Sequence, residues 1–448
     1  MSTPLMISVA GVRGIVGDSL TPAVVTRFAA AFARSLGPGP IVVGRDARVS
    51  GPMVLHAVAA GVMAAGREVI DIGLATTPTT QMAVEHLHAA GGIILTASHN
   101  PAEWNALKFL SAAGEFLGPV EGKAVRERFE QDRDLWTGWN GLGGMREEQG
   151  ALAWHLERVL GLDYLDLAAI RARRLKVVVD GCASVGGFAV PALLDALGAT
   201  TVRLDCEPNG RFTRVLEPLP EHLGALGTAV LEAGADLGVA VDPDADRAAF
   251  VDSAGRPLGE EYTVVLGTQV VLGRRKGPVV TNLSTSRMLE DVCRKAGVML
   301  HRSPVGEAHV VAQMRARQAV AGGEGNGGMI LPAAHFGRDG LVAMALVAQA
   351  MSGGASLREL AGTVPAYAMI KDKLARPEEP WERVEVRLRE SFAQWDLDSA
   401  DGLRFAKGEE WVHVRASGTE PVVRVIAETP DMGRTRAVVE QARRALAA

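Results

Sequence analysis

The sequence predicts an α/β protein of three related domains in tandem, followed by a smaller C-terminal α+β domain. Two observations lead there. Short β-branched runs alternate with longer helical patterns. One module, a helical stretch closed by a glycine and followed by a short apolar run, recurs about once per domain length. The runs "PIVVGRD" (40–46), "LKVVVDG" (175–181), "DLGVAVD" (236–242) and "GPVVTN" (277–282) are apolar and bounded by turn residues, which predicts buried strands. The module reads "LHAVAAGVMAAGREVIDIG" (55–73), "VPALLDALGATTVRLD" (190–205) and "MLEDVCRKAGVMLHRSPVG" (288–306).

Boundaries follow from composition. The stretch "WTGWNGLGGMREEQG" (136–150) is glycine-rich and aperiodic, as a linker or loop closing a first unit would be. "VDSAGRPLGEE" (251–261) reads as a turn ending a second, and at "AGTVPAYAM" (361–369) a helical pattern gives way to a short strand. The last segment alternates "ERVEVRLRESFAQW" with "EWVHVRAS" and "PVVRVIAET" and ends in the amphipathic "RTRAVVEQARRALAA". The expected domains are therefore 1–150, 151–254, 255–365 and 366–448. A chain of 448 residues is indeed too long for one core.

Bulk properties narrow the function classes. With 48% hydrophobic and 22% charged residues the chain reads as soluble and globular. A net charge of −5 gives no electrostatic reason to expect nucleic acid or an anionic membrane as partner, so any anion has to be held by a local cluster. Cys182, Cys206 and Cys293 are odd in number and far apart, which argues against a disulfide framework or a thiolate zinc site and points to a cytoplasmic setting. The N-terminus "MSTPLMISVAGVRG" lacks the pattern of an export signal, and no run is long and apolar enough to span a bilayer.

Five stretches carry chemistry. "DPDADR" (242–247) places Asp242, Asp244 and Asp246 at alternate positions after an apolar strand; such carboxylates repel unless a hard cation such as Mg²⁺ or Ca²⁺ lies among them. An EF-hand is excluded, because its sixth position is Arg247 and its twelfth Ser253. "TASHNPAEWNALKF" (96–109) contains Ser98 outside any hydrolase elbow, beside His99 and ten residues before Lys108. Neighbouring side chains of an extended segment point apart, so His99 is not expected to face Ser98. Ser98 reads either as a phosphoryl carrier, with Lys108 stabilising charge or moving a proton, or as a capping serine before an Asn-Pro turn.

"VRASGTEPVVRV" (414–425) offers Arg415, Ser417, Thr419 and Arg424 around Gly418, a donor set that suits phosphate oxygens. "AGGEGNGGMILP" (321–332) sets Glu324 and Asn326 among glycines; it lacks the dinucleotide-binding spacing but could grip sugar hydroxyls. "AGVRGIVG" places Arg13 between glycines as an anion contact or a turn residue.

Together and in this order, "TASHNP", "DPDADR", "GEGNGG" and "RASGTEP" resemble the signatures of the α-D-phosphohexomutase family, which includes phosphoglucomutases, phosphomannomutases and phosphoglucosamine mutases. The resemblance implies three similar α/β domains with mixed sheets and a smaller fourth domain around a central cleft. It implies a Mg²⁺-dependent enzyme in which phosphorylated Ser98 gives its phosphoryl group to a hexose monophosphate. The resulting hexose bisphosphate then returns its other phosphate to Ser98. Mg²⁺ would be held by Ser98, Asp242, Asp244 and Asp246. Arg13, Lys108 and Arg247 match positions near the reacting phosphate, and His99 is counted with them. Arg415, Ser417, Gly418, Thr419 and Arg424 match the site of the other phosphate, with Glu324 and Asn326 on the sugar. Carboxylates at about −3, a phosphoserine near −2 and a cation at +2 sum to about −3, so this grouping requires the cations.

Two departures bear on the substrate. The sugar loop has Asn326, Gly327 and Gly328 where many members have Ser-Gly-His, which leaves more of the acid/base work to Lys108 and resembles phosphoglucosamine mutases and archaeal dual-specificity mutases. Glu307, in "SPVGEAH", stands where a carboxylate could pair with a 2-ammonium group. The expectation is thus a phosphoglucosamine mutase, acting as monomer or homodimer. A phosphomannomutase/phosphoglucomutase is the first alternative and a phosphatase-like hydrolase a more distant one.

Overall fold

The helix, glycine and strand of the recurring module fold alike in all three copies of the computed structural model, which describes residues 4–131, 134–417 and 422–447. Helix Gly51–Ala64 leads through Gly66 into strand Val69–Leu74, helix Gly186–Ala196 through Gly198 into Thr200–Leu204, and helix Met288–Ala296 through Gly297 into Leu300–Ser303. The three glycines have φ of +80°, +73° and +68°, the left-handed conformation that ends a helix at little steric cost only without a Cβ.

The three sheets share a four-stranded core. Its first strand, Ile41–Arg45, Lys176–Asp180 or Val279–Asn282, pairs in parallel with the module strand on one side. On the other side it pairs in parallel with a third strand, Gly91–Leu95, Leu237–Val241 or Ala321–Glu324. The third then turns back into an antiparallel fourth, Trp104–Leu110, Ala248–Asp252 or Gly328–Ile330, so the sheets are mixed. All four apolar runs of the sequence are thus strands.

The first sheet is wider. Gly11–Ile15 and then Met6–Ser8 add beyond its fourth strand, and Met145–Glu147 adds at the opposite edge. That edge strand lies inside the segment read as a linker. All three of its residues are exposed, so it has no alternation of apolar and polar residues to betray it.

Helix Gly340–Met351 is buried on nearly all sides and joins the second and third domains into one apolar cluster that includes Val177, Val239, Val279 and Val342. The tail is a five-stranded antiparallel sheet of Ala368–Ala375, Val422–Thr429, Glu410–Ala416, Leu403–Lys407 and Asp396–Asp398, in that spatial order. One face presents Val412, Val414, Val423 and Val425 to helices Trp381–Ser391 and Met432–Ala447. The other face is polar and docks on the third domain. Glu428 accepts hydrogen bonds from the Arg287 N–H (2.8 Å) and from Trp411 Nε1 (2.6 Å), and Arg404 Nε donates to the Leu283 carbonyl (3.0 Å).

His413 sits in this interface. Its Nε2 donates to the Asp401 carbonyl (2.6 Å), which leaves Nδ1 to accept from the Ser284 hydroxyl (2.8 Å). Burial, with Arg415 and Arg404 nearby, lowers its pKa from 6.5 to about 4. The unfolded chain therefore takes up this proton first, so the stability that His413 contributes is complete above about 6.5 and is lost as pH falls from there toward about 4. Replacing His413 by Gln is expected to flatten the pH dependence of the urea midpoint between pH 8 and 5; a variant as pH-sensitive as wild type contradicts this account.

Candidate active site

In each α/β domain the hairpin between the third and fourth strands carries one signature stretch. Ser98 follows strand Gly91–Leu95, Asp242 to Arg247 follow Leu237–Val241, and Glu324 to Gly327 close Ala321–Glu324. Carboxyl ends of strands are where open α/β sheets gather ligands, and here three such ends meet. The Thr77 N–H of the first domain donates to the Asp244 carbonyl (2.9 Å), and the Ala248 N–H of the second donates to the Gly327 carbonyl of the third (3.0 Å).

Asp242, Asp244 and Asp246 are fully buried, and one oxygen from each lies within 4.8 Å of the others. Asp242 Oδ2 accepts from Ser98 Oγ at 2.8 Å. Asp244 Oδ2 accepts from Lys108 Nζ and from Thr77 Oγ1, both at 2.7 Å, and Asp246 Oδ2 accepts from Arg338 at 2.6 Å. The remaining oxygens Asp244 Oδ1 and Asp246 Oδ1 are buried with no hydrogen-bond partner among the described residues. Orphaned carboxylate oxygens are costly unless a ligand satisfies them, and an all-oxygen set fits a hard divalent cation.

The charges are unevenly held. Burial, reinforced by Asp244 and Asp246, pushes the Asp242 carboxyl well above its usual range. Burial acts on Asp244 in the same sense, but the Lys108 charge and the hydrogen bonds from Lys108 and Thr77 outweigh it and keep that carboxyl below its usual range. Burial pulls Lys108 down, whereas Asp244 and Asp246 more than offset it, so the ammonium stays charged. Arg247 completes the cage. Its Nε lies 3.7 Å from Asp246 and 4.0 Å from Asp242, and its Nη1 donates to Glu217 at 3.2 Å.

Ser98 is not in extended backbone, contrary to the expectation from sequence. Its φ is +48°, a left-handed conformation unusual for serine, and this brings Oγ to 3.5 Å from His99 Nδ1. Burial and the nearby Arg247, Arg13 and Lys108 charges lower His99 to about 2, so its ring is neutral.

What holds this loop is Arg48, which the sequence reading passed over. Its guanidinium donates to the carbonyls of Ser98 (2.6 Å), Asn100 (2.7 Å), Pro101 (2.7 Å) and Trp104 (3.0 Å), and its Nε pairs with Asp46 at 3.1 Å. Asp46 in turn accepts from Thr96 Oγ1, which accepts from the Ser98 N–H. The available signal was three charged residues in "GRDAR", at the end of a buried strand. Arg13 donates to Asn100 Oδ1 at 3.2 Å from the neighbouring strand.

Arg338 was passed over as well. From "GRDG", just before the apolar helix Gly340–Met351, it bonds three carboxylates: Asp246, Glu324 (3.1 Å) and Glu307 (2.8 Å). The two glutamates respond differently. Burial raises Glu307, with Arg338 only partly opposing it, whereas for Glu324 the effect of burial is outweighed by Arg338 and by a 2.7 Å hydrogen bond from Asn282. Both Glu307 oxygens face Arg338, one on Nε and one on its backbone N–H. Asn326 has a buried side-chain oxygen with no hydrogen-bond partner among the described residues. The glycines of the loop are required by close contact: a Cβ on Gly328 would meet the Arg338 stem, and one on Gly325 the Glu261 carboxylate.

On the tail, Arg415 and Arg424 face each other across adjacent strands. Arg415 pairs with Asp401 at 3.3 Å, and the Ser417 N–H closes the hairpin on the Val422 carbonyl (2.8 Å). Gly418 and Thr419 lie outside the described residues. Among the described residues no helix is long and apolar enough to cross a membrane.

Comparison with known proteins decides the family. Four descriptions of the phosphoglucomutase/phosphomannomutase family match in succession: α/β/α domain I over residues 6–135, domain II over 155–255, domain III over 259–367 and the C-terminal domain over 369–445. The chain belongs to the phosphoglucomutase/phosphomannomutase family. A phosphohexomutase is an isomerase that transfers a phosphoryl group within its substrate. A relative from Methanopyrus kandleri, named "Probable phosphoglucosamine mutase", is 36% identical over 95% of this chain and 94% of its own. A phosphoglucomutase/phosphomannomutase of Thermococcus kodakarensis is 35% identical over 96% of both. A solved family structure from Burkholderia thailandensis superposes with a TM-score of 0.85 at 26% identity, covering 98% of each chain.

The Arg48 staple is testable. Leaving Asp46 buried without its partner is expected to cost about 3–5 kcal/mol. Chemical denaturation of Arg48→Met should show that loss; a change below about 1 kcal/mol removes the staple from the account.

Proposed function

We propose that this phosphohexomutase interconverts hexose 6-phosphate and hexose 1-phosphate through a phosphorylated Ser98 and a hexose bisphosphate, with glucosamine phosphate as the preferred substrate. The observation that carries it is the placement of Ser98 Oγ 2.8 Å from a buried aspartate trio that has two unsatisfied oxygens. Asp242, Asp244, Asp246 and Ser98 would hold a divalent cation such as Mg²⁺, which when bound offsets phosphoryl charge.

In the transfer step the bond from phosphorus to Ser98 Oγ breaks as the free sugar hydroxyl bonds to phosphorus. The hydroxyl proton passes to a base of the cleft, and the electron pair of the broken bond stays on the serine oxygen, which regains a proton as the free hydroxyl. Lys108 and Arg247, with Arg13 beside Asn100, surround this end with positive charge that is already in place before reaction. Lys108 acts here foremost as a fixed cation, since its ammonium is kept charged by Asp244 and Asp246. The neutral His99 ring lies against Ser98 Oγ. Glu324 and Asn326 would take the sugar hydroxyls, and Arg415, Ser417, Gly418, Thr419 and Arg424 the phosphate that stays in place.

Two observations divide on the sugar. Relatives named as phosphoglucosamine mutases support the amino sugar. Against them, Glu307 is already engaged by Arg338, so a 2-ammonium group would have to compete for it, and this favours the phosphomannomutase/phosphoglucomutase reading. Turnover of glucosamine 6-phosphate should exceed that of mannose 1-phosphate and glucose 1-phosphate; the reverse order selects the second reading. Added hexose bisphosphate should activate the enzyme, and Ser98→Ala should lose interconversion by at least about 10³-fold. A variant that interconverts at the wild-type rate, or a bisphosphate merely hydrolysed, contradicts the proposal.

A further inference from the structure

Between the first and second sheets the chain runs through helix Ala151–Leu160, which carries none of the signature stretches. It is wedged between the first and third domains. Toward the first, the Trp154 ring stacks on His86 with 3.9 Å between centroids; toward the third, Arg158 donates to the Ala334 carbonyl (2.8 Å). His155 is fully buried and bonds both domains at once. Its Nε2 donates to Asp339 Oδ2 (2.8 Å), which in the neutral ring leaves Nδ1 to accept from the Thr79 hydroxyl (2.9 Å).

Both partners are themselves fixed. Thr79 lies in the first turn of helix Thr77–His86, where its N–H donates to the capping Thr76 hydroxyl (3.0 Å). Asp339 caps helix Gly340–Met351 through Oδ1, which accepts from the N–H groups of Leu341 (2.8 Å) and Val342 (3.1 Å). Its Oδ2 also accepts from His335 Nε2 (3.1 Å). Burial alone would raise the Asp339 carboxyl, but His155 and His335 outweigh it and hold it below its usual range. A buried polar network satisfied in this way is rigid.

Each end of the bridge is one step from the aspartate trio. Thr77, two residues before Thr79, holds Asp244 by its backbone N–H (2.9 Å) and by its hydroxyl (2.7 Å). Arg338, the residue before Asp339, holds Asp246 Oδ2 at 2.6 Å. Helix Thr77–His86 thus positions one carboxylate and the start of helix Gly340–Met351 another, from different domains. Mg²⁺ demands its oxygens at about 2.0–2.1 Å in a near-octahedral array, so a small shift between the two domains is felt at the cation.

We propose that His155 is a positioning residue for the cation site: one imidazole, bonded to Thr79 on one side and to Asp339 on the other, sets the spacing of Asp244 and Asp246. It rests on the reading of the trio as a divalent-cation site and extends it to a helix outside the signature loops. His155 acts through Thr77 and Arg338, and outer partners of this kind are commonly worth about 10–100-fold in metal affinity.

The test is calorimetric titration of the intact protein with Mg²⁺, on wild type, Thr79→Val, His155→Gln, the double variant and Trp154→Leu, with urea unfolding of each. Thr79→Val cuts the bridge and leaves both imidazoles on Asp339, so it decides the question even where His155→Gln does not fold. His155→Gln cuts the bridge while keeping an amide donor for Asp339. Each single variant should weaken Mg²⁺ binding by about tenfold or more, and the double variant no further, because both remove the same bridge. Trp154→Leu, which loosens the same helix without touching the bridge, should bind Mg²⁺ as wild type does. Wild-type Mg²⁺ affinity in either folded single variant overturns the role of His155, as does an equal loss in Trp154→Leu or losses that add in the double variant. No Mg²⁺ binding by wild type instead overturns the cation site on which it rests.

Discussion

Three carboxylates buried within 4.8 Å of one another are the constraint on which the rest of this molecule depends. Packed that closely in a low-dielectric interior they cannot all stay ionised unless positive charge is brought to them. The chain brings it from three directions: Lys108 from the first domain, Arg247 from the loop itself and Arg338 from the third domain. The cage is thus assembled only when the domains are docked. The remaining deficit is seen in the rise of the Asp242 carboxyl and in the two oxygens that no hydrogen bond reaches among the described residues. A divalent cation would remove both.

The repeated architecture explains how distant residues reach one another. Each α/β domain turns from its third to its fourth strand through a short hairpin, and each hairpin has a different chemistry: a hydroxyl, a carboxylate trio, or a carboxylate with an amide. One residue in each adopts positive φ, at Ser98, Ala245 and Gly327. Such backbone persists because its surroundings fix it. At Ser98 the surroundings are Arg48 and the Asp46–Thr96 bonds, and at Ala245 the carbonyl accepts from the Gly340 N–H at the start of the buried helix. Arg338 then ties the second hairpin to the third. Through it the aspartate that would hold a cation and the glutamate that would meet the sugar share one guanidinium.

Much of this was legible beforehand, for local reasons. The strands at 41–45, 176–180, 237–241 and 279–282 are short, apolar and closed by turn residues, and the signature loops concentrate their chemistry within six or seven positions. Arg48 and Arg338 were not legible because their partners lie at long range, 50 residues from Arg48 to Ser98 and 92 from Arg338 to Asp246. A single charged residue in a sequence reads as a solvated one until its burial is known. The left-handed turn at Ser98 was missed for a related reason: serine has no conformational signature of its own, and the tertiary contacts that hold φ positive are supplied by Arg48. Glu307 shows the converse, since a carboxylate that could pair with a 2-ammonium group was expected there but its engagement by Arg338 was not.

The central claim is that the buried aspartate trio is a cation site completed by three domains. Calorimetric titration of the intact protein with Mg²⁺, with Mn²⁺ as a second probe, tests it without reference to turnover. The account predicts one binding event of unit stoichiometry, abolished by Asp244→Asn together with Asp246→Asn in a protein that still unfolds cooperatively. Undiminished binding in that folded double variant would contradict it.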